Sequence, residues 1–338
     1  MTAMRVVSGI QPTGDLHLGN LLGAILRWVR MQDEAAQGTE LLFFLADLHA
    51  LTVEVDPASL RTNVREMAAA LIASGIDPTK SILFAQSQVR EHSELAWILQ
   101  CTARMGWLNR MTQFKDKSGK NKEGSSVGLF TYPVLQAADV LLYNATHVPV
   151  GDDQKQHIEL ARDIALKFNN DFETELFTVP EPFVGGGTAA RVMSLRDGSA
   201  KMSKSDPSDM SRINLTDSDE AIAQKVRKAR TDPDPIDADP AKLDARPEAK
   251  NLVGIYAAVT GSTVEAVAAQ FAGQGFGAFK PVLADALIAM IAPLRSRLVE
   301  LRADSAEIDR ILAAGADKAR ALAAPTLAEA YRAVGLTG

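Results

Sequence analysis

RVVSGIQPTGDLHLGN, residues 5–20 of a chain of 338 residues, contains the strongest indication of the fold. Its first four residues predict a short buried strand, residues 9–14 predict a glycine- and proline-rich turn, and a helical pattern runs from Asn20 to about Gln37. Glycines let the backbone approach a ligand closely, and the first N–H groups of a helix have no partner within the helix. A strand, a loop and a helix in this order therefore predict an anion-binding site.

The alternation of strands and helices continues beyond this unit. Residues 41–46 and 81–85 are apolar runs of strand length, and residues 57–74 between them have helical spacing with Asp56 as the predicted N-cap. This order predicts an α/β fold with a buried parallel sheet and right-handed crossovers. Ligands of such sheets bind at the carboxyl ends of the strands, where the loop of residues 9–20 is expected.

The second part of the chain has a different character. Residues 113–128 contain four lysines among glycines and serines and predict a mobile, solvated loop. Residues 231–247 are rich in proline and aspartate and predict a linker or an irregular connection. Helical patterns rich in alanine and leucine then cover residues 251–269, 280–302 and 305–333.

Composition excludes several classes of protein. Apolar residues make up 46% and charged residues 23%, and no window approaches the roughly 18 consecutive apolar residues of a membrane span. The single cysteine, Cys101, excludes an intramolecular disulfide and a metal site built from several cysteines. The first residues carry no export signal, so a cytoplasmic protein is expected. The net charge of −6 argues against a nucleic-acid partner, although it does not describe local patches.

Two motifs indicate chemistry on phosphates. His17 and Asn20 lie one helical turn apart and add side-chain donors to the glycine loop. Residues 192–195 predict a short strand, and residues 201–205 after it read KMSKS. Two ammonium groups three residues apart can neutralise the charge that develops on a polyphosphate. A buried structural histidine and a solvated charged loop are the simpler interpretations of each motif alone, but their combination favours nucleotide chemistry.

These motifs carry a family resemblance. HLGN at 17–20 resembles the HIGH signature of class I aminoacyl-tRNA synthetases, KMSKS resembles their second signature, and GIQPTG at 9–14 is similar to the tryptophanyl-tRNA synthetases. The resemblance extends through residues 105–118, 131–160 and 190–195. It implies a Rossmann-type catalytic domain over residues 1–200, and a KMSKS loop with a helical anticodon-recognition region over residues 201–338. It also implies formation of tryptophanyl-adenylate from tryptophan and Mg·ATP, followed by transfer of tryptophan to tRNA(Trp).

The resemblance also assigns residues to ATP. His17, Asn20, Lys201 and Lys204 are the expected catalytic residues. Asn20 replaces the second histidine of HIGH and cannot ionise, so no proton-transfer role is assigned to it. ATP would come with Mg²⁺, without a metal site of the protein's own. The residues expected to bind ATP are Gln11, Pro12, Thr13, Gly19, Asn20, Lys115, Lys117, Gly151, Asp152, Asp153, Val192, Lys201, Met202, Ser203, Lys204 and Ser205.

A second set of residues is assigned to tryptophan. Asp139 lies in an apolar helical run and, by the resemblance, accepts the indole N–H; the alternative is a structural aspartate with partners of its own. Tyrosine could donate to the same carboxylate, but Val7 and Gln11 replace the tyrosine and aspartate typical of tyrosyl enzymes. The residues expected around the amino acid are Val7, Gln11, His49, Tyr132, Gln136, Asp139 and Gln154; Gln136 departs from the methionine of many relatives.

The resemblance names tRNA as a partner and a homodimer as the assembly. Basic residues at 225–230 and at 295–302 are candidates for contacts with RNA phosphates. A dehydrogenase is disfavoured, because the GxGxxA match at 185–190 follows prolines and not a strand. A tyrosyl-tRNA synthetase and a non-catalytic paralogue that binds RNA remain as alternatives. No membrane association is expected.

Overall fold

The computed structural model describes residues 4–12, 14, 16–111, 124–149, 155–183 and 191–337. A sheet of five parallel strands forms its centre, in the spatial order β3-β2-β1-β4-β5. The strands are β1 (Arg5–Ile10), β2 (Glu40–Leu45), β3 (Ile82–Ala85), β4 (His147–Pro149) and β5 (Glu181–Phe183). The predicted Rossmann-type α/β fold is confirmed. The three predicted strands of the first 85 residues are confirmed to within two residues at each end.

Helices cover the sheet between its strands. The predicted N-cap of the helix after β2 is confirmed, because the Asp56 carboxylate accepts a hydrogen bond of 2.8 Å from the backbone N–H of Ser59. The first unit continues from α1 through a π-helical turn, Leu21–Ile25, into α2. These helices are α1 (Leu18–Asn20), α2 (Leu26–Asp33), α3 (Asp47–Ala50), α4 (Pro57–Ala73), α5 (Glu91–Thr102), α6 (Met105–Leu108), α7 (Val127–Leu141) and α8 (Lys155–Asp171).

The second part is helical, as predicted, and it packs back onto the first. Helix α13 (Ser305–Ala333) lies against β3 so closely that a Cβ atom at Gly315 would overlap the carbonyl group of Leu83. Helix α12 (Phe276–Ala303) packs against α4. These later helices are α9 (Asp219–Arg227), α10 (Pro247–Thr260), α11 (Val264–Gln270), α12 (Phe276–Ala303) and α13 (Ser305–Ala333). The division into domains at residue 200 stays a prediction.

Three predicted elements differ from the structure. Residues 192–195 were expected to form a strand, but they form only a single bridge, Met193 to Lys201, because the segment turns back on itself there. The helix expected over 251–269 is two helices, since Gly261 adopts a φ of 67° and ends the first one. The lysine-rich loop ends before α7, whose N-cap is Ser126; residues 112–123 lie outside the described residues.

Helix α12 is long and apolar enough, by length and composition, to span a membrane, and α10 and α11 pass the same test as a bent pair. One face of α12 is buried against the protein, with Phe279, Leu283, Leu287 and Ile291 inaccessible to solvent. That face therefore belongs to the protein core.

Candidate functional site

The carboxyl ends of the strands border a cavity of about 380 Å³. Strand β1 lies between β2 and β4, so the strand order reverses at this point, where open α/β sheets bind their ligands. The volume is that of a small-molecule pocket. Six of the seven residues predicted to contact the amino acid line it: Val7, Gln11, His49, Tyr132, Gln136 and Asp139. The seventh, Gln154, lies outside the described residues.

Asp139 is the centre of the cavity's polar network. Its side chain is 1% exposed and accepts hydrogen bonds from three side chains. Gln86 Nε2 lies 2.6 Å and His92 Nδ1 lies 2.7 Å from Oδ1, while His49 Nε2 lies 2.7 Å from Oδ2. His92 continues the network, since its Nε2 lies 2.8 Å from the hydroxyl of buried Tyr143.

This network keeps Asp139 ionised. Burial alone raises the pKa of the carboxyl, but the interactions with His49 and His92 outweigh burial and lower the pKa to about 2. An ionised carboxylate only accepts hydrogen bonds. Asp139 therefore presents an acceptor to the cavity at neutral pH.

The fold brings these side chains together through loops that follow adjacent strands. His49 belongs to α3, directly after β2, and Gln86 begins the 3₁₀ turn directly after β3. Asp47 joins the two segments, because its carboxylate accepts from the backbone N–H of Ser87 at 2.9 Å and also from the Ser87 hydroxyl. Two rigid strand ends thus hold two donors against one carboxylate.

Sequence reasoning missed three members of the network, Gln86, His92 and Tyr143. Each lies in a segment whose polar residues look like ordinary surface positions, and only the tertiary fold buries them around Asp139. Only a weak indication of their role is present in the sequence. Gln86 directly follows an apolar strand, and His92 lies beside the apolar face of a helix. Buried polar groups need partners, but the sequence did not show that these residues are buried.

Tyr132 forms the opposite wall of the cavity. Burial raises the pKa of its phenol to about 12, so the hydroxyl remains protonated. Its ring contacts His49 edge-on with centroids 6.1 Å apart, and its hydroxyl lies 3.3 Å from Nε2 of His157. The wall therefore combines an apolar ring with a hydroxyl.

The two signature motifs meet beside the cavity. A Cβ atom at Gly14, whose φ is 82°, would lie 3.6 Å from Nζ of Lys204, and one at Gly19 would lie 3.6 Å from the Cβ of Met202. The backbone N–H of Leu18 also donates to the carbonyl of Ile213 at 2.8 Å. The glycine loop and KMSKS, nearly 200 residues apart in sequence, form one surface.

His17 is neutral in this surface. Burial, followed by the charges of Lys204, Arg212 and Lys201, lowers its pKa to about 4. Its Nδ1 accepts from the N–H of Gly19 at 3.1 Å, which leaves the ring proton on Nε2 as a donor. The Asn20 side-chain oxygen accepts from the His17 N–H at 3.1 Å and completes a capping box.

The other residues predicted to bind ATP differ in their exposure to solvent. Met202 and Val192 are buried and joined by a backbone hydrogen bond of 3.1 Å, and Pro12 is also buried. The hydroxyls of Ser203 and Ser205 lie 2.8 Å apart near the surface. Gln11 and Lys201 are exposed. Outside the described residues lie Thr13, Lys115, Lys117, Gly151, Asp152 and Asp153, and also the GxGxxA match at 185–190. That match was expected not to follow a strand, but β5 ends at Phe183, directly before it.

The structure corrects one candidate for RNA contact. Lys225 is 3% exposed, because its ammonium group is held between the carboxylates of Asp217 at 2.6 Å and Asp209 at 2.7 Å. Arg295 is half-buried and forms an ion pair with Asp219, and Arg302 is exposed and forms an ion pair with Glu66. Lys225 is therefore a structural residue, and the two arginines are committed to partners within the chain.

No group of three or more histidine, cysteine, aspartate or glutamate residues with metal-binding geometry occurs among the residues that the structure describes.

Comparison with known proteins gives consistent matches. Residues 1–292 match the family described as tRNA synthetases class I (W and Y). The chain is 60% identical to the tryptophan–tRNA ligase of Caulobacter vibrioides over 335 residues, which cover 99% of this chain and 96% of that protein. The tryptophanyl-tRNA synthetase of Mycoplasma pneumoniae has a similar structure, with a TM-score of 0.87, 33% identity and 99% coverage of both chains. The tryptophanyl-tRNA synthetase of Campylobacter jejuni, in complex with ADP and tryptophan, also has a similar structure, with a TM-score of 0.80 and 37% identity. The match covers 98% of this chain and 100% of that chain.

Proposed function

The chain belongs to the class I tRNA synthetases of the tryptophan and tyrosine type, and we propose that the cavity around Asp139 binds tryptophan while the glycine loop and KMSKS hold ATP beside it. Its activity is that of a tryptophan–tRNA ligase, which forms a carbon–oxygen bond. The observation that carries the residue assignment is the convergence of six sequence-predicted pocket residues on one cavity at the switch point of the sheet.

The reaction has two steps. In the first, a carboxylate oxygen of tryptophan attacks the α-phosphorus of Mg·ATP, the bond to the bridging oxygen breaks, and pyrophosphate leaves. In the second, a hydroxyl of the terminal ribose of tRNA attacks the acyl carbon of the adenylate, and AMP leaves. Neither step needs a covalent intermediate with the protein, so positioning and charge neutralisation supply the catalysis.

The cavity fits the amino acid in shape and polarity. Val7 offers an apolar contact to an aromatic ring, and the ionised Asp139 offers an acceptor for the ring N–H. Tyr132 and Gln11 lie at the polar side, where they would hold the α-ammonium and carboxylate groups. The phenol of Tyr132 stays protonated, and its oxygen can accept a charge-assisted hydrogen bond from the ammonium group.

The surface formed by the glycine loop and KMSKS fits the anionic phosphates of ATP. The ammonium groups of Lys201 and Lys204 and the neutral His17 donor converge on the glycine loop. A neutral histidine donates one N–H to a phosphate oxygen without titrating during turnover. We assign Lys204 and Lys201 to the charge that develops on the departing pyrophosphate.

Two alternatives fit the chain less well. A tyrosyl enzyme would need a second partner for the phenol, and position 7 offers only Val7. A non-catalytic paralogue is disfavoured, because His17, Lys201 and Lys204 are all present and adjacent. Both alternatives predict a different amino-acid dependence of ATP turnover.

The proposal extends to the partner tRNA(Trp), the assembly and the compartment. The helical region beyond residue 200 would read the anticodon. A homodimer is supported by exposed apolar side chains on neighbouring helices, with Trp97 68%, Met105 65% and Leu166 54% exposed. Mg²⁺ would enter with ATP, and the enzyme would act in the cytoplasm.

A charging assay tests the complete function. Purified chain, ATP, Mg²⁺ and bacterial tRNA transcripts for tryptophan and tyrosine are incubated with labelled tryptophan or tyrosine, and labelled tRNA is counted. The proposal expects label only with tryptophan and its own tRNA. A Lys204→Ala chain is the control for activity of a contaminating enzyme. Charging of the tyrosine transcript, or charging unaffected by Lys204→Ala, would contradict the proposal.

A further inference from the structure

The hydrogen bonds that Asp139 already accepts determine how many more its carboxylate can accept. A carboxylate offers about four lone-pair positions, two on each oxygen. Gln86 and His92 occupy two positions on Oδ1, and His49 occupies one on Oδ2. One position on Oδ2 remains, on a residue that lines the cavity. An indole N–H group supplies one donor and needs one acceptor.

The carboxylate of Asp139 fixes the orientation of the Gln86 side-chain amide. Gln86 is fully buried, and its amide oxygen has no hydrogen-bond partner in the part of the chain that the structure describes. A buried unsatisfied carbonyl costs free energy. The amide retains this orientation because the opposite one would place its oxygen against the carboxylate.

His92 is fixed in the same way. Its Nδ1 faces an ionised carboxylate and therefore carries a proton. Its Nε2 lies 2.8 Å from the hydroxyl of Tyr143, so the ring is held at both nitrogens. Burial, followed by the charges of Asp139 and Glu91, raises the pKa of Tyr143, so this hydroxyl keeps its proton. Tyr143 is fully buried and cannot reach the cavity.

We infer that Gln86, His92 and Tyr143 are positioning residues for amino-acid recognition: Gln86 and His92 fill Oδ1 of Asp139 from the core side, and Tyr143 holds His92 in place. One acceptor position on Oδ2 then remains for the ring N–H of the substrate. This inference rests on the proposed tryptophan site. None of the three touches the reacting atoms, and each acts through Asp139.

The test uses a matched pair of variants at one buried position. In His92→Asn, the side-chain amide can replace Nδ1 and keep the donor to Asp139. In His92→Gln, the amide reaches the position of Nε2 and loses that donor. Both variants are polar and similar in size, and comparison of their thermal unfolding with that of the unmodified chain shows whether they are folded.

The readout is the preference for tryptophan over benzothienylalanine, an analogue with sulfur in place of the ring N–H. Preference is the ratio of kcat/KM values in pyrophosphate exchange. We expect His92→Asn to keep the preference within about threefold and His92→Gln to reduce it about tenfold or more, as for loss of a hydrogen bond to a charged group. A purely structural role would lower kcat/KM for both amino acids equally and leave the preference unchanged, which would overturn the inference.

Tyr143→Phe decides the case if His92→Gln does not fold. Loss of its hydroxyl releases the Nε2 side of the His92 ring, so the preference should fall a few-fold, with KM for ATP unchanged; an unchanged preference would overturn the inference. Pyrophosphate exchange by the unmodified chain distinguishes failure of the proposed function from failure of the positioning role. If that chain does not use tryptophan, the proposed function fails. If it does and the variants keep its preference, only the positioning role fails.

Discussion

The cavity around Asp139 (the amino-acid cavity) and the surface formed by the glycine loop and KMSKS (the phosphate surface) lie side by side. Their polar groups are held in different ways. In the cavity, the Asp139 carboxylate is buried and fixed by donors from Gln86, His49 and His92. On the phosphate surface, Lys201 is exposed, and Lys204 is half-buried on a loop. On the proposed assignment, amino-acid selection depends on the protein core, whereas charge neutralisation depends on surface cations that act when ATP is present.

The largest effect that separates the two regions is expected from Lys204→Ala. Removal of one preorganised cation from the transition state should lower the rate of pyrophosphate exchange about 10²- to 10³-fold. Tryptophan affinity, measured by equilibrium binding without ATP, should be unchanged. Lys318→Ala, on the exposed face of α13, is the control and should exchange normally. Loss of tryptophan affinity in Lys204→Ala would show that the two regions are not separate.

Asp139→Asn should have the complementary effect. The amide places a donor among three donors, so KM for tryptophan should rise about 10- to 100-fold while KM for ATP stays within a few-fold. Exchange kinetics with tryptophan, tyrosine and phenylalanine measure this change and the discrimination among the three. Unchanged discrimination would remove Asp139 from the amino-acid site.

Gly315→Ala tests whether the cavity depends on the core. The new methyl group would overlap the Leu83 carbonyl on β3, three residues before Gln86, and should destabilise the protein by about 1–3 kcal/mol. Urea unfolding measures this loss. Because β3 leads into Gln86, which donates to Asp139, KM for tryptophan should rise more than KM for ATP.

Gly254→Ala is the matched control for this substitution. Gly254 lies within α10, where a Cβ atom would meet no other atom within 4 Å, so alanine should stabilise the helix by about 0.5–1 kcal/mol. Equal effects of Gly315→Ala on both KM values would show that the core does not support the cavity selectively.

The smallest effect concerns pH and the phosphate surface. The pKa of His17 falls from 6.5 to about 4 on folding, so the folded state binds fewer protons than the unfolded state. The contribution of His17 to stability is present above pH 6.5 and is lost as the pH falls towards 4. Between pH 7 and pH 5, the unmodified chain should lose about 1–2 kcal/mol more stability than His17→Gln, the lower figure allowing for solvent screening of a partly exposed ring. Parallel urea unfolding curves check this difference, and identical losses would mean that His17 titrates normally.

The sheet and most helices followed from apolar periodicity, since short apolar runs and helical spacing are local signals. The ends of α13 were predicted without error, from Ser305 to Ala333. The strand expected at 192–195 was wrong, because an apolar run does not show whether a neighbouring strand is available for pairing. Its residues instead support the KMSKS loop.

The candidate site was predicted in part. The residues with a motif, such as His17 and Lys204, could be placed because the motif implied their chemistry. Gln86 and His92 could not, since their partner Asp139 lies about 50 residues away and only the fold brings them together. Lys225 shows the opposite error, because a basic residue on a helix looked exposed but pairs with two carboxylates.

The most direct test of the account is amino-acid-dependent exchange of labelled pyrophosphate into ATP, run in parallel with tryptophan, tyrosine and phenylalanine. The account predicts exchange with tryptophan alone, because the cavity joins an apolar wall at Val7 to one acceptor at Asp139. Exchange with tyrosine would keep the fold and the phosphate chemistry but contradict the assignment of the cavity. No exchange with any of the three would contradict catalysis itself.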